Sequence, residues 1–280
     1  MKKKHLDIAL SVTSGLLLFA LGTGIWLLPA HDFSEEENRA LATLPSLTLS
    51  SIVDGSLPKS LSAYLTDRLP CRLEFIRLRT LSELSLFKGE CNEVLFCRDG
   101  YLLDRGEYED LNKARENLEQ IYALCAALDD AETPVTVAYA PRGIDVMEDK
   151  LPLLYAGNEK EILELISGSE ENIDLVSPLK EFAEKGEAVW YKTDHHWTSH
   201  GAYAAYVHLS AELGYVPFDR EFFEIEVISE DFLGSIYSRA GCVAPTADVI
   251  ELYRYEGDED YLFKADEGST HNGFYFLEKS

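Results

Sequence analysis

Tyr191-Lys-Thr-Asp-His-His-Trp-Thr-Ser-His-Gly-Ala-Tyr203 places Asp194, His195, His196 and Trp197 side by side at the mouth of a predicted helix. A predicted strand, Ala188 to Tyr191, leads in, and an apolar-periodic segment, Ala202 to Leu213, leads out. Loops joining strands to helices are exposed on a rigid scaffold, which is where α/β folds put their chemistry. An Asp two residues before a His can hold and orient the imidazole. The imidazole can then take a proton from a hydroxyl nucleophile supplied elsewhere in the fold.

The segments upstream fit that placement. Pro134 to Ala140 is a β-branched run between turn residues and reads as a buried parallel strand. Glu159 to Ile166 reads as a helix, Ile173 to Val176 as a short strand, and Leu179 to Lys185 as a helix ended by Gly186. Strands alternating with helices imply a mainly parallel sheet covered on both faces. Leu57 to Leu65 and Arg72 to Phe87 are further helices. Asp110 to Leu128 is the strongest, with Leu111, Ala114, Leu118, Ile121, Cys125 and Leu128 on one face. Val94 to Phe96 and Tyr101 to Leu103 flank Arg98-Asp99-Gly100, a hairpin signal because Gly supplies a positive φ. Phe223 to Ile228 and Val249 to Tyr255 read as strands.

The balance of 50 acidic against 25 basic residues gives a formal charge of −25, which repels phosphate backbones and excludes nucleic acid as a partner. Lys2, Lys3 and Lys4 precede an uncharged stretch from Ile8 to Ala30. A helix of that length rises about 34 Å, enough for a hydrocarbon core of about 30 Å. The lysines are expected to stay cytoplasmic, so the rest of the chain crosses the membrane. Leu28-Pro29-Ala30 is a poor signal-peptidase site, which favours an uncleaved anchor over a removed signal. The expected organisation is anchor 1–30, polar linker 31–51 and one domain 52–280. Five cysteines leave at least one unpaired; Cys91 and Cys97 are spaced to bridge, and Cys125 reads as a small core residue.

Asp194-His195-His196-Trp197 spells the name motif of the DHHW protein family. It also resembles the Asp-x-His-Trp motif of SGNH-like O-acetyltransferases that decorate secreted polysaccharides such as alginate. Phe33-Ser-Glu-Glu-Glu-Asn-Arg39, Asp54-Gly55-Ser56, Tyr64-Leu-Thr-Asp-Arg-Leu-Pro70, Gly100-Tyr-Leu-Leu103, Lys150-Leu-Pro152 and Asp231-Phe-Leu-Gly-Ser235 are similar to this family's recurring blocks, in its order. The resemblance covers the chain from Phe33 onward. It implies an SGNH-type three-layer α/β sandwich behind one membrane helix, acting outside the cytoplasm on a polysaccharide acceptor. The acyl group would come from a donor or from a membrane acyl-delivery protein. It also implies no cofactor or metal.

By the same resemblance His196 is the base, Asp194 its orienting acid and His195 the variable slot, while Trp197 packs the loop or lines the acceptor groove. The family's nucleophile is a Ser in an Asp-Ser dipeptide after a late hydrophobic strand, and this chain has no such dipeptide. Ser235 and Ser269 follow glycines but no apolar strand. The expectation is therefore a chain without its last strands and nucleophilic Ser. Arg142, after the strand ending at Ala140, is a candidate for binding a carboxylate or carbonyl oxygen. Two other readings use the same residues. Asp194, Thr198 or Ser199 fits a helix N-cap, and His196 with His200, four apart, fits a metal pair on one helix face. An esterase would use the same triad, and a glycan-binding or assembly protein would need none.

Overall fold

The computed structural model describes residues 2–27, 29, 31–37, 39–106, 110–129, 135–167, 172–244, 246–260, 262–264 and 270–272. The chain divides into two compact units, Met1–Asn92 with Tyr237–Val243, and Glu93–Ile236 with Ala244–Ser280. This division differs from the 31–51 linker and 52–280 domain expected from the sequence.

In the first unit the helix Lys2–Leu27 contains a segment, Lys4–Leu27, that is long and apolar enough to cross a membrane. The expected linker carries structure of its own. Phe33–Ser34 pairs antiparallel with Arg39–Ala40. Arg39 donates to Asp67 at 2.6 and 3.0 Å, Asp67 accepts from the backbone of Ala42 at 2.8 Å, and Arg72 donates to Glu37. Two of the recurring blocks, Phe33 to Arg39 and Tyr64 to Pro70, are thus joined by charge-assisted hydrogen bonds. Burial would raise the Glu37 carboxyl, but Arg72 and Arg39 outweigh it and hold it below the usual range.

In the second unit Val94–Phe96 pairs antiparallel with Leu102–Asp104, with Leu95 opposite Leu103. Asp99 (φ 57°) and Gly100 (φ 82°) make the turn, as the local sequence predicts. Val137–Ala138 runs parallel to Asn172–Ile173, with the helix Glu159–Ser167 in the crossover. Glu224–Phe232 pairs antiparallel with Asp248–Arg254. The sheets are small and mixed. The predicted strand Ala188 to Tyr191 joins no ladder beyond one antiparallel bridge, Trp190 to Trp197. Its hydrogen-bonding groups are taken locally: Val189 O accepts from Thr198 N at 3.0 Å, and Tyr191 N donates to His196 O at 3.3 Å.

The core beneath this bridge contains Leu95, Leu103, Ile144, Met147, Leu179 and Val189, all at most 3% exposed. Leu179→Ala is expected to cost about 2–5 kcal/mol, because a fully buried Leu leaves both lost transfer energy and a cavity. Chemical denaturation followed by tryptophan fluorescence measures it, and a cost under 1 kcal/mol would show that the site collapses around the alanine. All five cysteines are free thiols, so the Cys91–Cys97 bridge suggested by spacing is absent. Burial pushes the Cys97 thiol up to about 12.

Candidate active site

The loop from Lys192 to His196 is held at both ends. Thr198 caps the helix Ser199–Glu212, its side chain accepting from Gly201 N at 3.0 Å. Of the three residues that fit a cap in the sequence, Thr198 fills the position. Gly201 sits where a Cβ would lie 2.1 Å from the Val189 carbonyl oxygen, so only glycine lets the helix approach the chain that bridges Trp197. Trp190 Nε1 donates to His195 O at 3.2 Å, and the Trp190 and Trp197 rings pack at 5.9 Å.

A buried carboxylate braces the other end. Asp248 accepts from Lys192 N and Thr193 N, each at 2.8 Å, and from Thr193 Oγ1 at 2.6 Å. Thr193 Oγ1 in turn accepts from Gly234 N at 3.0 Å. Thr193 is fully buried and Asp248 nearly so. Three hydrogen bonds on one buried carboxylate leave none of its charge exposed to an apolar surrounding.

Asp194 follows directly and is 6% exposed. Its Oδ1 accepts from His196 Nδ1 at 2.6 Å and from His196 N at 3.1 Å. Its Oδ2 accepts from Ser235 N at 2.8 Å and from Ser235 Oγ at 3.0 Å. The His196 side chain is 66% exposed, so its Nε2 faces a wet surface while Nδ1 is fixed. His195 Nδ1 lies 2.9 Å from Ser235 Oγ and 3.6 Å from Asp194 Oδ1, and the two imidazole centroids are 3.9 Å apart. A carboxylate on Nδ1 and an open Nε2 is the arrangement that lets an imidazole act as a general base.

Burial by itself would raise the Asp194 carboxyl. The hydrogen bonds from Ser235 and His196 outweigh it and hold the group below its ordinary range. A depressed folded value means that the unfolded chain binds more protons across the interval between the two. The contribution is therefore full above the unfolded value of about 4 and is lost as pH falls through the lower, folded one. Asp194→Asn is expected to lose less stability than the wild type between pH 5 and pH 3, measured by chemical denaturation at both. Equal losses would remove Asp194 from the acid response.

Other residues singled out in the sequence lie elsewhere. His196 precedes the helix, so it shares no helix face with His200, and the metal pair suggested by their spacing does not form. His200 instead bonds Glu187 through Nε2 and lies 3.3 Å from Tyr253 OH through Nδ1. Arg142 is committed to Asp145 at 3.1 Å, an acid that also accepts from Tyr139 OH at 3.0 Å. Ser269 lies outside the described residues. Asp194, His195 and His196 bring one ligand atom each within 4.8 Å of one another. Because Asp194 Oδ1 already serves His196 and Oδ2 serves Ser235, a cation there would have to displace the hydrogen bonds that order the pair. Thr193, Asp248 and Glu187 went unnoticed in the sequence. Gly234 is visible in the sequence only within a recurring block, whereas Ser235 is a candidate there and lies on Asp194 and His195 in the structure.

Residues 91–231, just over half of the chain, match the family described as "SGNH hydrolase-like domain, acetyltransferase AlgX". The chain belongs to this family. Its SGNH-like fold is shared with Bacillus cereus PatB1, solved with a sulfonyl adduct: TM-score 0.54, 17% identity, 65% of this chain and 63% of that one. The match therefore spans less than two thirds of the PatB1 chain. The O-acetyltransferase domain of Pseudomonas putida AlgJ is similar at a TM-score of 0.45 and 20% identity, over 56% of this chain and 63% of that one. A DHHW family protein from Eubacterium siraeum is similar at 0.43 and 19%, over 60% and 56%. No curated protein matches the chain. In this SGNH-like domain the matched region contains Asp194, His195 and His196 and ends four residues before Ser235.

Proposed function

We propose that the chain is an extracytoplasmic O-acyltransferase that places an acyl group, acetyl foremost, on a hydroxyl of a cell-surface or exported polysaccharide. The observation that carries this reading is the 2.6 Å contact between buried Asp194 and the exposed His196 ring. Asp194 holds the imidazole as its Nδ1–H tautomer, which leaves the Nε2 lone pair as the base. Nε2 takes the proton of an attacking hydroxyl, the oxygen bonds to the acyl carbonyl carbon, and Nε2–H returns the proton to the departing donor oxygen. Among the described residues no hydroxyl is bonded to Nε2, since Ser235 is engaged by Asp194 and His195. The attacking hydroxyl therefore comes to His196 from elsewhere.

Room for a sugar supports the reading. A hollow of about 450 Å³ opens beside the same loop, bordered by Tyr101, Tyr191, Lys192, His200 and Arg220. Aromatic faces beside hydrogen-bonding charges suit a polyol ring. The span Lys4–Leu27 supports tethering by residues 8–30, with the domain outside and the acyl donor handed over by a membrane partner.

The test is the acetyl methyl signal in proton NMR spectra of exported polysaccharide, from cells with the gene deleted and then restored. The signal is expected to vanish on deletion, to return with the wild-type gene and to stay absent with Asp194→Ala. Unchanged acetylation after deletion would defeat the proposal. Increased acetylation would identify an esterase. Loss of the polysaccharide itself, restored equally well by Asp194→Ala, would identify an assembly protein.

A further inference from the structure

Asp194 lies near two adjacent imidazoles and can order only one of them through Oδ1. His196 Nδ1 is at 2.6 Å and His195 Nδ1 at 3.6 Å, so His195 needs to close by only about 0.7 Å to reach a normal N–H···O distance. The backbone already favours His196, whose N–H also donates to Oδ1 at 3.1 Å, but it leaves His195 close enough to compete. What holds the His195 ring aside is Ser235 Oγ at 2.9 Å.

We propose that Ser235 is a positioning residue that keeps His195 off Asp194 Oδ1 and so assigns that carboxylate oxygen to His196. The inference rests on the acid–base reading of Asp194 and His196 given above. The direction of each hydrogen bond follows from donor counting. An ionised Asp194 only accepts, so the single Oγ proton of Ser235 goes to Oδ2 at 3.0 Å. The Oγ lone pair then accepts from His195 Nδ1–H at 2.9 Å. Ser235 N–H occupies Oδ2 as well, at 2.8 Å, so the carboxylate plane is pinned with Oδ1 turned to His196. Gly234 makes this contact possible. A Cβ at that position would lie 2.4 Å from the Asp194 Cβ, so residues 234 and 235 press directly on the acid. Gly234 N is held by Thr193 Oγ1, which Asp248 holds in turn, and the clamp is therefore anchored in buried structure. Ser235 acts through Asp194 and His195 and is not itself placed on His196.

The experiment uses the full chain in detergent micelles, labelled with ¹⁵N-histidine, with the two rings assigned by His195→Gln and His196→Gln. Two-bond nitrogen–proton spectra then read the tautomer and hydrogen bonding of each ring. In the wild type His196 is expected to show one sharp, strongly downfield Hδ1 resonance. In Ser235→Ala that resonance should be lost and replaced by exchange-broadened signals from both rings, and Ser235→Thr, which restores the hydroxyl, should recover it. If Ser235→Ala does not fold, Ser235→Cys against Ser235→Thr answers the same question. The thiol keeps the volume but is a weak hydrogen-bonding group, so only the threonine variant should look like the wild type. Histidine spectra unchanged in Ser235→Ala, or equal in the cysteine and threonine variants, would overturn the assignment. Acyl transfer is not read at any point. A chain with no transferase role can still show this dependence, and an active one can lack it.

Discussion

Replacing His196 with alanine is expected to lower acyl transfer by about four orders of magnitude or more, with the fold unchanged. The side chain is mostly exposed and packs into no core, so its removal opens no cavity. It carries the Nε2 that Asp194 orients as the base, and members of such a unit are strongly non-additive when lost. Asp194→Asn is expected to cost a similar factor for a different reason. An amide on Nδ1 selects the wrong tautomer and takes the lone pair off Nε2. Acetyl transfer from a chromogenic ester to an oligosaccharide acceptor, in membranes of producing cells, reads both effects beside thermal melts of the same samples. Activity within tenfold of the wild type in either variant would remove the pair from the reaction.

Gly201→Ala is expected to lower stability by about 3 kcal/mol or more. The added methyl would sit 2.1 Å from a backbone oxygen and 2.9 Å from a backbone carbon of Val189, and backbone cannot rotate aside as a side chain does. In a unit of this size that lowers the melting temperature by about 6–12 °C. Gly186→Ala provides the contrast. Gly186 has φ +84° with nothing within 4 Å of a Cβ, so its cost is backbone strain alone, about 1–2 kcal/mol. Equal melting temperatures for the two variants would show that the helix Ser199–Glu212 shifts away from Val189 at little cost.

What was legible in the sequence was local. Arg98-Asp99-Gly100 turns as its residues predict, and the helices Arg72–Ser85, Leu111–Asp129 and Val176–Glu184 fall within a few residues of their apolar periods. The Asp194–His196 contact was legible because two residues of spacing fix its reach. Long-range features were not. Asp248 sits in Ala247-Asp248-Val249, a stretch with no chemical pattern, and gains its role from segments 55 positions away. His200 was paired by arithmetic with His196, whereas its partner Glu187 lies 13 positions upstream across a turn. Ala188 to Tyr191 has the composition of a strand, yet its hydrogen bonds return to Thr198 and His196. Residues 31–51 are polar enough for a linker, but Glu37 and Arg39 find partners on the helices Ser56–Asp67 and Arg72–Ser85.

The bond from Thr193 to Asp248 also sets a clock. A ribosome adds residues at about 5–20 per second, so some 55 residues separate the two by roughly 3–11 s of synthesis. For that interval the nascent chain already carries Asp194, His195 and His196 but lacks the carboxylate that braces the Lys192 and Thr193 end of their loop. Ser235 is made before Asp248, so the clamp on Asp194 exists before its anchor does. The brace at Lys192 and Thr193 can therefore form only after residue 248 has been made and folded back. Until then a growing chain has the motif without its buried support.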